Sequence, residues 1–193
     1  MNTQETFSDD QIIQSVLDGN TRNFELLVNR YKNRLVNFIN KMISDYEEAQ
    51  NIAQDVFIKI YETLGRYRME NSFQSFIFTI AKNLTLNYIK KSKRTIFFSQ
   101  LFTKNDEDRH LDYSYDAPQE TDFDDRARDR MLMEALKQLK ENQRLALVLK
   151  VYVGFSYQQI ADVTGWTIPK IETLISRAKT QLKKIIFLQD NGL

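Results

Sequence analysis

The sequence has no cysteine, one histidine, two prolines and five glycines in 193 residues. Without cysteine there is no disulfide frame and no thiolate metal site, which fits a reducing compartment. The lone histidine, His110, has no second imidazole to share a metal or an acid–base step with, so no metal is expected. No Gly-rich phosphate loop is present, and neither a catalytic residue, a cofactor nor a small-molecule substrate is expected. No apolar run approaches the roughly 20 residues that a membrane span needs, so no direct membrane insertion is expected. The N-terminal MNTQETFSDD lacks the basic-then-apolar order of a signal peptide, and a cytoplasmic location follows as the expectation. With so few breakers and no sustained alternation of apolar and polar residues, the chain reads as all-α. Its length suffices for one or two modest cores.

What is present is uneven charge. Residues 1–21 carry four acids and no Lys or Arg, and residues 22–94 carry thirteen cations against seven acids. Residues 95–130 turn acidic, five against ten, and residues 131–193 basic again, nine against five. Two basic helical blocks separated by an acidic segment suggest two polyanion-binding modules and a linker that avoids or mimics nucleic acid.

Phe73 to Arg94, FQSFIFTIAKNLTLNYIKKSKR, organises the first block. Phe73, Phe76, Ile77, Ile80, Ala81, Leu84 and Tyr88 form one helical stripe, with Ser72 as N-cap. Ser75, Phe78, Thr79, Lys82, Leu86 and Ile89 point away from it, with Asn83 and Asn87 on a flank, and the helix leaves through Lys90, Lys91, Lys93 and Arg94. Aromatic and amide groups among cations suit splayed bases beside phosphates. The competing reading is a helix packed on both sides with a solvated basic end.

Three further helices precede it. Ser8 with Gln11 makes a capping box before Ile12, Ile13, Val16 and Leu17, closed by Asp18-Gly19. Phe24, Leu27, Val28, Tyr31, Leu35, Phe38, Ile39 and Met42 keep one face of the next. Ser44 with Glu47 is read as the cap of the third, in which Ala49 to Leu64 hold the period until Gly65. Its outer face, Gln50, Asn51, Gln54, Asp55, Ile58 and Glu62, is either a solvated surface or a protein contact. The connection Arg66 to Ser72, with Arg66 and Arg68, leads to the central helix. Such stripes should bury one another as a bundle.

From Thr95 to Asp125 the periodicity is lost among acids, giving a flexible linker able to span on the order of 100 Å when extended. The second block opens with Leu132, Ala135, Leu136 and Leu139, then the apolar run Leu145 to Val153. FSYQQIADVTGWTIPKIETLISRAKTQLKKI follows as a helix-turn-helix: a Ser156–Gln159 capping box, Ile160-Ala161 facing inward, Gly165 at the turn and Pro169 in the next first turn. Trp166 reads as a plug at that turn. Thr173, Ser176 and Thr180, flanked by Lys170, Arg177 and Lys184, suit a helix lying in a major groove.

EEAQNIAQDVFIKIYETLGRYRMENSFQSFIFTIAKNLTLNYIKKSKR resembles region 2 of bacterial RNA polymerase sigma factors of the extracytoplasmic-function group. The likeness rests on Gln54-Asp55-Val56-Phe57, the arginine-bearing loop and FQSFIFTIAKN before a basic run. Asn142-Gln143-Arg144, Gly154-Phe155-Ser156-Tyr157 with Ile160-Ala161, and Ser176-Arg177-Ala178-Lys179 resemble region 4 of the same family. Phe76 stands where the family usually has Trp, Asn87 where an acid is common, Pro169 where glycine is common, and Glu172 and Leu174 where basic residues are frequent.

The resemblance implies two helical domains, region 2 over residues 8–94 and region 4 over 126–189, joined by the linker 95–125. It implies a non-catalytic subunit that binds core RNA polymerase and directs promoter-specific initiation, including DNA melting. Gln50, Asn51, Gln54, Asp55 and Ile58 would meet the polymerase. Arg66, Arg68, Ser72, Phe78, Lys82, Asn83, Asn87, Lys90 and Lys91 would take the unpaired downstream promoter element, and Lys170, Thr173, Ser176, Arg177 and Thr180 the upstream one. It also implies an anti-sigma factor, often membrane-anchored, for which Ile168, Leu174 and Ile186 offer an apolar rim. The alternative is a stand-alone helix-turn-helix regulator whose N-terminal bundle senses a ligand or dimerises.

Overall fold

The computed structural model describes residues 7–68, 72–102 and 123–190. Among them there are helices and turns but no strand, and no helix is long and apolar enough to cross a membrane. Helix α1 (Asp9–Leu17) starts on a reciprocal capping box: the Gln11 amide donates to Ser8 Oγ and the Ser8 amide to the Gln11 side chain. Asp9 and Asp10 in its first turn face the positive end of the helix dipole. After Gly19, at φ +102°, a short 3₁₀ turn leads into α2 (Phe24–Ile43).

The expected Ser44–Glu47 box is displaced by one residue. Ser44 ends α2 in the left-handed conformation, φ 59°, so it cannot also cap the next helix. Asp45 takes that role for α3 (Tyr46–Thr63), its carboxylate accepting from the Glu48 amide at 2.9 Å. Helix α4 (Phe73–Phe102) continues past Arg94, where loss of helical period was expected. Residues 103–122, which hold most of the acidic linker and His110, lie outside the described residues. The second block comprises α5 (Phe123–Lys137), α6 (Glu141–Val151), α7 (Tyr157–Thr164) and α8 (Ile168–Asp190). The Ser156–Gln159 box starts α7, and Gly165 ends it at φ 72°.

The apolar stripes bury as their periods require. Leu27, Leu35 and Ile39 of α2 meet Val56 and Ile60 of α3 and Ile77 and Ala81 of α4, with Ile12 and Ile13 of α1 added. In the second block Leu136, Leu145, Val148, Leu149, Ile160, Ile171 and Ala178 play the same part. Each fully buried Leu or Ile contributes about 1.5–3 kcal/mol.

The two cores are continuous. Phe78 of α4 is fully buried between Phe38 of α2 and Phe155 of the α6–α7 turn, edge-on to both with ring centroids 5.4 and 5.1 Å away. Around these rings, cations donate across the seam to backbone carbonyls: Arg34 to Val153 at 3.2 Å, Lys82 to Val163 at 2.8 Å and Arg144 to Met42 at 2.7 Å. At the rim Lys93 pairs with Glu141 at 3.3 Å.

Arg144 also donates to the Lys137 carbonyl at 2.6 Å. Met42 and Lys137 lie in the last turns of α2 and α5, where carbonyls lack helical partners and the dipole is negative. One guanidinium therefore closes two helix ends from different blocks. Arg144→Ala is expected to destabilise the chain by about 2–3 kcal/mol, the scale of a hydrogen bond to a charged group. Urea unfolding checks this, with the exposed Lys140→Ala as control; equal midpoints would show that the guanidinium contributes nothing.

Candidate nucleic-acid interface

The two faces of α4 divide differently from the sequence expectation. The stripe is as expected, Phe73, Ile77 and Ala81 buried and Phe76, Ile80, Leu84 and Tyr88 partly so. The opposite side is not free. Ser75, Phe78 and Thr85 are buried, and Thr79, Lys82, Leu86 and Ile89 are partly covered. The expectation that Phe78 projects outward is corrected: it is 0 % exposed, because α7 and the turn before it pack on that side. Periodicity within one helix cannot reveal this, since α4 is amphipathic towards its own bundle and gains its second cover from a block some 80 residues later.

Lys82 is turned into the seam as well. Burial pushes its ammonium below the ordinary lysine value, and its Nζ donates to Val163, in the last turn of α7, where a cation complements the helix dipole. Asn83, Asn87, Lys90 and Lys91 remain exposed, forming the open flank of α4. Ser72, Arg66 and Arg68 are exposed on the connection that leads into it.

On α3 the outer edge is open. Asn51, Gln54, Asp55 and Ile58 are exposed, Ile58 at 58 %, and Gln50 is partly covered. An isoleucine so exposed, beside Tyr61 at 50 %, leaves apolar surface facing solvent next to amides and one carboxylate. Asn51 is held by Glu48 at 3.2 Å.

On α8 the five residues expected to meet DNA, Lys170, Thr173, Ser176, Arg177 and Thr180, are all exposed. Ile171, Ile175 and Ala178 hold the opposite side in the core. The Thr173 and Thr180 hydroxyls donate back to the carbonyls of Pro169 and Ser176, which leaves their methyl groups and hydroxyl lone pairs outward. Lys170 lies over the Trp166 ring, Nζ 4.8 Å from the centroid. Trp166 itself is partly buried against the core, the plug that the turn needs.

Residues 27–95 match the model for Sigma-70 region 2, and residues 129–182 the model for Sigma-70, region 4. The RNA polymerase sigma-H factor of Pseudomonas aeruginosa is 31 % identical over 191 residues, 96 % of each chain. The chain belongs to the sigma-70 family of RNA polymerase sigma factors, in the extracytoplasmic-function group. RNA polymerase sigma factor YlaC of Bacillus subtilis is 27 % identical over 160 residues, covering 83 % of this chain and 90 % of its own. Among solved structures, CnrH in complex with the cytosolic domain of CnrY superposes with a TM-score of 0.67 at 19 % identity, over 91 % of this chain and 94 % of that one. RpoE in complex with the anti-sigma factor NepR, from Bartonella quintana, gives 0.65 at 23 %, over 86 % and 98 %.

As a sigma factor the chain binds core RNA polymerase and directs promoter-specific transcription initiation. The stand-alone regulator is not favoured, since its N-terminal bundle would have no reason to match region 2. The seam residues Arg34, Arg144 and Phe155 carried no signal as contacts in the sequence. Phe155 and Arg144 stood inside the region 4 resemblance, yet their partners Phe78 and Met42 lie in the other block.

Proposed function

We propose that this sigma factor acts in the cytoplasm as a non-catalytic subunit, with region 2 over residues 8–94, a linker over 95–125 and region 4 over 126–189. Region 2 meets the polymerase through the α3 edge, Gln50, Asn51, Gln54, Asp55 and Ile58. It receives the unpaired downstream strand along α4 and the connection before it. Region 4 reads the upstream element with Lys170, Thr173, Ser176, Arg177 and Thr180, three hydroxyls and two cations on one outward face of a helix.

The observation that carries the strand assignment is the exposed flank of α4. Two amides, Asn83 and Asn87, run into Lys90 and Lys91 on a side that no packing contact explains. Phe78 and Lys82 join that surface once the helix-turn-helix block moves away from it. Asn83→Ala combined with Asn87→Ala should slow promoter opening on duplex DNA more than on a pre-melted bubble. The expected loss is about 1 kcal/mol for each amide. Heparin-resistant complex formation on both templates measures it, and an equal loss on both would indicate a folding defect instead. Phe78→Ala does not serve here, because emptying so buried a site costs about 3–5 kcal/mol of stability by itself.

A protein inhibitor is part of the reading. The solved neighbours CnrH and RpoE carry CnrY and NepR as partners. In this chain Ile168 is 37 % and Phe187 66 % exposed. The second half of α8 borders a groove of about 670 Å³ whose apolar side is Leu182, Ile186 and Phe187 and whose polar side includes Ser176, Lys179 and Thr180. An anti-sigma factor anchored on that end and reaching over the α3 edge would silence the factor by competing with polymerase.

A further inference from the structure

The connection between α3 and α4 is pinned by a tyrosine from within. Tyr67 follows the 3₁₀ turn Leu64–Arg66 with extended backbone, φ −65° and ψ 133°. The chain thus leaves the turn at Tyr67, and side chains on either side of it need not share its direction. Tyr67 is half-buried, while Arg66 and Arg68 on either side of it are exposed. Its ring packs edge-on against Phe73 at 5.6 Å and tilted against Phe76 at 5.3 Å, and Phe73 in turn meets Tyr31 at 5.6 Å. The hydroxyl donates to Asp10 of α1 at 3.3 Å.

Asp10 is itself held in place. Its neighbour Asp9 accepts from the Tyr31 hydroxyl and the Arg30 guanidinium, and Arg30 also donates to the Phe7 carbonyl at 2.8 Å. Burial, and then the charge and hydrogen bond of Asp10, push the Tyr67 phenol up to about 12, so it stays a proton donor at neutral pH. Helix α1 thus reaches the connection through one carboxylate.

We propose that Tyr67 and Asp10 are a positioning pair, which by turning Tyr67 inward holds Arg66 and Arg68 outward toward the phosphates of the unpaired strand. This rests on the reading of those arginines as strand contacts. A purely structural tyrosine would change stability alone, whereas a positioning one changes how many phosphates the chain neutralises.

The salt dependence of strand binding separates the two. Holoenzyme reconstituted with native core polymerase is titrated with a fluorescent single-stranded oligodeoxynucleotide of mixed sequence, since phosphate contacts carry no sequence information. For every phosphate that the protein ceases to neutralise, the slope of log affinity against log salt flattens by about 0.7. Arg66→Ala with Arg68→Ala should therefore flatten it by about 1.4. Tyr67→Leu is expected to reproduce that flattening with both arginines present, and to add nothing in their absence.

Tyr67→Phe and Asp10→Ala each remove the hydroxyl bond and keep the rings. They should give one smaller, shared effect that does not grow when they are combined, and they serve if Tyr67→Leu fails to fold. An unchanged slope in all three variants, alongside a flattened slope in the arginine pair, overturns the positioning role and leaves Tyr67 as packing. An unchanged slope in the arginine pair itself removes the strand contact, and the proposal with it.

Discussion

Holoenzyme made with a factor cross-linked between Lys93→Cys and Glu141→Cys is expected to form no open complex on a duplex promoter. Cleaving the cross-link should restore it. The two side chains form an exposed ion pair across the seam, 3.3 Å apart, with Lys93 70 % and Glu141 31 % accessible. A cleavable bismaleimide can therefore reach cysteines at both positions, and no native cysteine competes for it. Surface ion pairs of this kind contribute at most about 1 kcal/mol, so removing the charges should not itself disturb the fold. The cross-link fixes α4 against the second block and keeps Phe78 and Lys82 covered. It also prevents the two regions from spreading over the separated promoter elements. Full activity of the cross-linked form would mean that the packed arrangement binds promoter DNA as it stands, and the proposed exposure of the α4 face would fall.

Asp55→Arg is the second large effect. Asp55 is exposed on α3, on the edge formed with Gln54 and the apolar Ile58. Reversing one charge in a contact places a cation where the partner presents complementary charge, and a charge pair broken at a buried interface costs about 2–5 kcal/mol. Such a loss lowers affinity by more than an order of magnitude. Co-purification with core polymerase should disappear, while helix content by circular dichroism and binding of region 4 to upstream DNA stay unchanged. Unaltered co-purification would remove the α3 edge from the polymerase interface.

The helices, their caps and the inward stripes were legible because each depends on residues within a few turns of one another. Ser8 with Gln11 and Ser156 with Gln159 can be recognised by spacing alone, and both form as reciprocal boxes. The Ser44 cap failed for a reason that spacing does not encode: the same residue was needed in left-handed conformation to end α2. Asp45, one step on, had the chemistry to replace it. Trp166 was legible as a plug because a large ring at a glycine turn has one place to go.

The far face of α4 was only half legible. Asn83, Asn87, Lys90 and Lys91 are polar and stay outside, as polarity demands. Phe78 between Ile77 and Thr79 gives no hint of which core it enters, and its neighbours Phe38 and Phe155 are distant in sequence on either side. Likewise nothing in the sequence marked Arg34, Lys82 and Arg144 as donors to the seam, because a backbone carbonyl leaves no trace in the residue types opposite. The stripe that faces away from one bundle was part of another.

The acceptors across the seam have a consequence for how closure can be altered. Val153, Val163 and Met42 offer main-chain carbonyls to Arg34, Lys82 and Arg144, and a carbonyl survives any replacement of its own side chain. At these three bonds mutation can therefore strengthen or weaken the grip through the donor and not through the acceptor's side chain. Lys82 sits on the helix proposed to hold the strand, so a substitution there loosens the resting form and alters the DNA contact at once. Among the three donors, Arg34 and Arg144 are the ones at which drift can adjust the opening threshold without touching promoter preference.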